Sequence, residues 1–358
     1  MRAEEARRRE QAATLFVAGH GETVTVRRYG DRLDADSAGR RVLTLDFDAA
    51  VGRLHLTDGT GEPSLDHRAL AAVAEALLGW EAGLGRVRLD LRGDGALAEL
   101  LLRSGLAVAD GDGLSLLPAM VMQRRENWLS APAIEPYPVD PVLTDARRHP
   151  RRPPKPQGLV YARHIPWLDT VLSFRALTLD DLPLFSRWMN DPRVAAFWNE
   201  EGDLDKHRAY LAGLIADPHM LPMIGSFDDA PFAYFEIYWA KENRIAPFYD
   251  AQDWDRGWHV AVGEETVRGR AYVSAWLPSL MHYLFLDDPR TQRIVGEPAA
   301  SHTQQIRNLE RSGFAILKNF DFPHKRASLV MLLRERYFGD RLWQPAPARN
   351  GSPTEAAR

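Results

Sequence analysis

Between residues 23 and 121 the apolar positions follow two alternating rhythms. Runs with the length, period and β-branched content of strands cover residues 23–28, 42–47, 52–56, 86–91 and 114–121, with turn signals at Gly30-Asp31 and Asp58-Gly59. Two stretches with helical spacing lie among them. One is LAAVAEALLGW, which Ser64 or Asp66 is placed to cap, and the other is 96–102, closed by Gly105. Residues 1 to about 20 read as a short charged helix or frayed arm.

The rhythm resumes near Val160. Residues 172–176 form a strand pattern, and Thr178 opens a helix through Leu184, Phe185 and Trp188 that Asn190-Asp191-Pro192 breaks. A short helix leads to Trp198 and Asn199, and another covers 206–215. Residues 223–227 and 232–239 read as a hairpin around Asp228-Asp229-Ala230-Pro231. After an aromatic, charged loop comes a strand at 258–262, then Gly263, a polar loop ending in Arg268-Gly269-Arg270, and a long helical pattern from Ala271. A strand-loop-helix unit points free N–H groups at whatever sits over the loop, which suits a pyrophosphate. Glycine permits close approach, and the two arginines add charge.

The order strand, helix, strand, helix, strand in the first half recurs about 207 residues later, with Arg103-Ser104-Gly105 matching Arg311-Ser312-Gly313. Two readings stay open: a degenerate first copy of one fold, or two unrelated helices that both end on Arg-Ser-Gly. The first copy lacks a Gly/Arg loop before its helix, so no active site is expected there.

Composition narrows the class. The 358 residues, 45% hydrophobic, suit two domains, 1–129 and 159–343. Residues 130–158 hold eight prolines and the basic cluster Arg147, Arg148, His149, Arg151, Arg152 and Lys155, and read as an extended, solvated linker; 344–358 reads as a disordered tail. A net charge of -4 argues against nucleic acid as a partner. The absence of cysteine excludes disulfides, thiolate metal sites and a cysteine nucleophile. The histidines show no metal-ligand spacing, so no metal is expected. With no signal-peptide core and no bilayer-length apolar run, a cytoplasmic protein without membrane contact is expected, monomeric or homodimeric.

From about 172 to 343 the chain resembles the GNAT acyltransferase superfamily, whose acyl-CoA loop reads Q/R-x-x-G-x-G/A. The window here is Thr266-Val267-Arg268-Gly269-Arg270-Ala271. The segments MNDPRVAAFWNEEG, YFEIYWAKENRIAPFYDAQDWDRGWHVAVGEE, HYLFLDDPRTQRIVGEP and FDFPHKRASLVML are similar to the hydroxamate-siderophore acyltransferase branch, the aerobactin-type hydroxylysine acetyltransferases. The resemblance implies an α/β fold (α+β mixed sheet) with the GNAT fold in the C-terminal half, after a smaller α/β domain. It also implies transfer of an acetyl or other acyl group from CoA to an N-hydroxylated diamino acid or diamine, giving a hydroxamate by direct attack. A siderophore synthetase or N-hydroxylase is the implied protein partner. The rival readings are a GNAT acetyltransferase acting on an aminoglycoside or unmodified amine, and a non-catalytic acyl-CoA-binding scaffold.

The same resemblance implies roles for single residues. His259 matches the family's catalytic histidine, and Ser301 stands where the family carries an acid, with His302 beside it; Ser301 is also placed to cap the following helix. Acyl-CoA is expected at Val260, Ala261, Val262, Gly263, Arg268, Gly269, Arg270 and Ala271. Trp198, Asn199, Glu236, Trp239 and His302 are the substrate-pocket candidates, since an amphoteric substrate needs both signs of charge and an apolar wall.

Overall fold

The computed structural model of the chain describes residues 11–17, 22–111, 113–133 and 135–345. Its first sheet contains β1 (Gln11–Val17), β2 (Glu22–Tyr29), β3 (Arg32–Ser37), β4 (Arg40–Asp48), β5 (Arg53–Gly59), β6 (Val87–Asp90), β7 (Val108–Asp110) and β8 (Gly113–Leu116), ordered β1-β2-β3-β4-β5-β6-β8-β7. Helices α1 (Pro63–Trp80) and α2 (Gly95–Arg103) follow β5 and β6. Residues 11–17, expected as helix or arm, are an edge strand paired with β2, while residues 1–10 lie outside the described residues. The sequence RLDADS hid β3 because its acids look like loop. In the sheet Asp34 is buried and accepts from Thr44 Oγ1 at 3.0 Å and from Arg41 at 2.7 Å. The run at 114–121 is a strand only to Leu116; Pro118 at the first helical position turns the chain into α3 (Pro118–Val121).

A strap then crosses to the second half. It carries the hairpin β9 (Pro141–Thr144) and β10 (Arg147–Pro150), and it corrects the expectation of a solvated linker. Arg147 donates to the carbonyls of Glu242 and Asn243 at 2.6 and 2.7 Å. Arg152 grips both carboxylate oxygens of Glu242 at 2.6 and 2.5 Å with both side chains fully buried, and Lys155 donates to four carbonyls between Leu214 and Met220. Basic residues read as solvated are anchors here because they reach carbonyls and one acid brought up by tertiary folding. Gln344, expected in a disordered tail, donates to Ala82 at 3.1 Å; residues 346–358 lie outside the described residues.

The second sheet contains β11 (Leu159–Ile165), β12 (Thr170–Ala176), β13 (Met220–Phe227), β14 (Ala230–Trp239), β15 (Arg256–Val262), β16 (Arg293–Gly296), β17 (Ala315–Asp321) and β18 (Arg326–Leu333), ordered β11-β12-β13-β14-β15-β16-β18-β17. This order repeats that of the first sheet, and each sheet has a parallel pair at the same place, β5 with β6 and β15 with β16. The helices are α4 (Leu182–Met189), α5 (Pro192–Trp198), α6 (Leu204–Ala216), α7 (Arg270–Asp287), α8 (Thr303–Arg311) and α9 (Arg334–Gly339). Phe235 and Ile237 of β14 pack with α7 on one face, whereas Tyr234 and Ala261 join Phe185, Trp188 and Leu211 from α4 and α6 on the other. Pairing of β15 with β16 covers Arg256 and Gly257, after which the register ends and the strands part.

The Arg152–Glu242 pair makes a stability test. Arg152→Ala leaves a buried, unpaired carboxylate and should cost about 3–5 kcal/mol. Arg152→Met with Glu242→Gln should cost clearly less, and equal melting temperatures for the single and double variants would show that the charge pairing is not what holds the strap.

Candidate functional site

His259 and Glu236 are directly paired across β14 and β15, which places both side chains on the face with α4, α5 and α6. The half-buried His259 donates from Nδ1 to Glu236 Oε2 at 2.9 Å and from Nε2 to Glu297 Oε1 at 2.9 Å. Glu297 follows β16, so this imidazole bridges the two strands where they part. Glu236 Oε1 accepts from the hydroxyls of Tyr210 and Tyr234, and Glu297 Oε2 accepts from Tyr238 at 2.8 Å. Gly257 makes the last contact possible, because a Cβ there would meet the Tyr238 ring at 2.1 Å.

This geometry sets the charges. Burial opposes protonation of His259, but the Glu297 charge and the hydrogen bonds to both carboxylates outweigh it and raise its pKa to about 9. Burial likewise pushes Glu297 up, and the His259 charge overcomes it, holding Glu297 near 2. At neutral pH the trio is an imidazolium between two carboxylates.

The loop after β15 ends at Gly269, with φ +102°, a conformation closed to L side chains, and α7 begins at Arg270. No side chain caps this helix start, so its first-turn amides remain available to an anion. Of the two acids in the loop, Glu264 accepts from Arg187 and from Trp188 Nε1 at 2.9 Å, and Glu265 lies 3.6 Å from Arg193. The matching loop of the first sheet is closed by its own helix. Asp66, expected as a possible cap of α1, is buried and accepts from Thr60 N at 3.0 Å, Thr60 Oγ1 at 2.7 Å and Gly61 N at 3.2 Å. Along β15, Gly263 N donates to Phe232 O at 2.9 Å, which sets the ladder so that Ala261 pairs into β14 while Val260 and Val262 face the parting strands. Trp198 Nε1 donates to Val260 O at 3.1 Å and Arg268 to Val262 O at 3.4 Å.

Several expected positions move. Ser301 is exposed in the turn before α8 and does not cap it; His302 is the cap residue, its own side chain making no capping bond. The acids facing His259 are Glu236 and Glu297, and sequence reading passed over Glu297 as part of the Glu-Pro ahead of the altered position. Asn199 is exposed and left-handed, closing α5. Trp239 lies on the opposite face of the sheet, its ring under Arg152 and Arg256 at 4.3 and 4.0 Å. Trp198 stays at the site, edge-on to His259 at 6.4 Å, and His302 stacks on Phe197 at 5.0 Å. Sequence spacing also hid a cluster of His149, His219 and Glu242, whose ligand atoms lie within 4.8 Å, although Arg152 takes both Glu242 oxygens.

The linkage has a definite sign. Because His259 binds its proton more tightly when folded, its charge contributes stability in full below about pH 6.5 and loses it as pH rises through about 9, while Glu297, held down near 2, contributes above about pH 4.5 and loses it as pH falls toward 2. An NMR titration of the His259 ring should give a midpoint near 9, and Glu297→Gln should lower it; an unchanged midpoint would remove Glu297 as its cause.

Residues 178–322 match the acetyltransferase (GNAT) domain. N(6)-hydroxylysine O-acetyltransferase of Escherichia coli is 46% identical over 215 residues, covering 59% of this chain and 68% of that protein. The N(5)-hydroxyornithine:cis-anhydromevalonyl coenzyme A-N(5)-transacylase SIDF of Beauveria bassiana is 47% identical over 206 residues, and the chain spans 45% of that protein's length. An uncharacterized protein of Bacillus halodurans shares the fold, with TM-score 0.50 and 26% identity over 53% of this chain and 96% of its own. Among the described residues no helix is long and apolar enough to cross a membrane. The chain therefore belongs to the GNAT acyltransferases, in the branch that includes hydroxylysine and hydroxyornithine acyltransferases.

Proposed function

We propose that this protein transfers an acyl group from acyl-CoA to the N-hydroxy amine of a hydroxylated diamino acid or diamine, forming a hydroxamate for siderophore assembly. The observation that carries this reading is the carboxylate-flanked His259 at the parting of β15 and β16, one strand-length from an open helix start. The relatives named above act on N-hydroxylated side chains by their names, and the same chemistry suits this site. The cradle of Gly263, Arg268, Gly269, Arg270 and Ala271 would hold the CoA pyrophosphate through backbone amides, and the pantetheine arm would lie along the open edge at Val260 and Val262. In the reaction the nucleophilic nitrogen forms its bond to the thioester carbon and the C–S bond breaks. The proton shed by nitrogen goes to the departing thiolate.

An N-hydroxy amine is largely neutral at pH 7, so little is asked of a base before attack. His259, charged and with both nitrogens donating, serves in this reading as a positioning donor to the hydroxylamine oxygen, taking the place of one Glu297 contact when substrate enters. Preorganised charge of this kind acts without rearrangement at the moment of reaction. Trp198 supplies an apolar wall, and Glu236 fixes the ring from behind.

A thiol-release assay with acetyl-CoA against N-hydroxylysine, N-hydroxyornithine and their unhydroxylated parents tests the function; turnover of the parents alone, or of none, overturns it. His259→Ala should lower kcat by about 100-fold or more while acyl-CoA KM changes little, and Gly269→Ala should do the reverse. Ser301→Ala should stay within about twofold of the parent, since a surface side chain away from the reacting groups carries little free energy. The pH profile separates donor from base: with a charged donor, kcat falls as pH rises through about 9, whereas a rise through that pH would assign His259 as the base.

A further inference from the structure

Glu297 is the carboxylate that stands to lose a partner when the acceptor arrives. Its side chain is 1% exposed, so bulk water does not replace a lost donor. Oε2 accepts from Tyr238 at 2.8 Å, while Oε1 accepts from both His259 Nε2 at 2.9 Å and Arg244 at 3.3 Å. Glu236, on the other nitrogen of the ring, is placed differently: Nδ1 keeps its Oε2, and the Tyr210 and Tyr234 hydroxyls hold its Oε1. In the proposed reaction the hydroxylamine oxygen takes the Nε2 donor, and the charge on Glu297 Oε1 is left to Arg244.

Arg244 is built to meet that demand. Its side chain is 51% exposed, it leans over the Phe322 ring at 5.4 Å, and its contact with Glu297 is long beside the roughly 2.8 Å of a closed charged pair. The backbone around it is fixed, because Arg147 donates to the carbonyls of Glu242 and Asn243, and Ile245 N donates to Asn243 Oδ1 at 3.2 Å. Lys325 Nζ holds Glu297 from its backbone side, donating to the carbonyl at 2.8 Å. A guanidinium with a free end on a fixed loop closes the remaining gap by side-chain rotation alone. We infer that Arg244 is a positioning residue, which takes over Glu297 as the acceptor draws His259 Nε2 away and so keeps that carboxylate paired while the imidazolium holds the acceptor. This rests on the proposed acyl transfer and deepens it.

The test follows thiol release with the better of N-hydroxylysine and N-hydroxyornithine. In the free protein Glu297 already has His259 and Tyr238, so Arg244→Gln should leave the melting temperature within about 2 °C and the acyl-CoA KM within about twofold. Acceptor kcat/KM should fall about 10- to 100-fold, the size of a hydrogen bond to a charged group that matters only in the complex. Arg244→Lys should keep part of the activity, and millimolar guanidinium should restore part of it to Arg244→Gly, since the position is open to solvent. On a Glu297→Gln background, Arg244→Gln should cost less than about twofold more, because the charge it answers is gone. A loss within twofold in Arg244→Gln, the absence of rescue, or the full further loss on the Glu297→Gln background overturns the inference. If no acceptor turns over in the wild type while calorimetry shows Arg244→Gln weakening acceptor binding by the same factor, the role of Arg244 at Glu297 stands and the acyl-transfer reading falls.

Discussion

The site depends on one buried charge triplet, the His259 imidazolium held by Glu236 on one side and Glu297 on the other. Each carboxylate alone would be expensive to bury, and so would the charged ring. Together, with the Tyr210, Tyr234 and Tyr238 hydroxyls taking up other carboxylate lone pairs, they form a satisfied network. Because Glu236 belongs to β14 and Glu297 follows β16, the triplet also spans β15 and ties the strands beside the place where their pairing stops. The parting of the strands and the charge held at His259 therefore share one origin.

The two sheets have the same strand order and the same parallel pair, yet they differ where an anion would bind. In the first, Asp66 fills the loop ahead of α1 with its own carboxylate. In the second, Gly269 turns the chain through a conformation that leaves the α7 amides uncapped, and Glu264 accepts from Arg187 and Trp188. One strand order thus carries an internal carboxylate in its loop in the first sheet and an uncapped helix start in the second.

The strap between the halves has a structural role that its composition disguised. Arg147, Arg152 and Lys155 read as a solvated basic run because their proline-rich surroundings show no fold of their own. Their partners are carbonyls and one acid contributed by the loop after β14, the end of α6 and the start of β13. The loop they hold also carries Arg244, which reaches Glu297 beside His259.

Local chemistry was legible in the residues. A strand, a glycine-arginine loop and an apolar helix suit an anion through backbone geometry within about 15 residues, and the structure forms all three elements there. The strand β3 was not legible, since its acids become acceptable only when Thr44 and Arg41 reach them across the sheet. The family resemblance places an acid partner for His259 at position 301, where this chain has Ser301. The actual partners lie 23 and 38 residues away, and only strand register brings them to one face. The sequence by itself determined the fold type and the strand-loop-helix unit around Gly269, which depend on short-range backbone preference and periodicity, and the family resemblance singled out His259. Tertiary structure alone decided which carboxylates charge that histidine, which face excludes Trp239 and where Arg244 points, because charge pairing follows distance in space rather than along the chain.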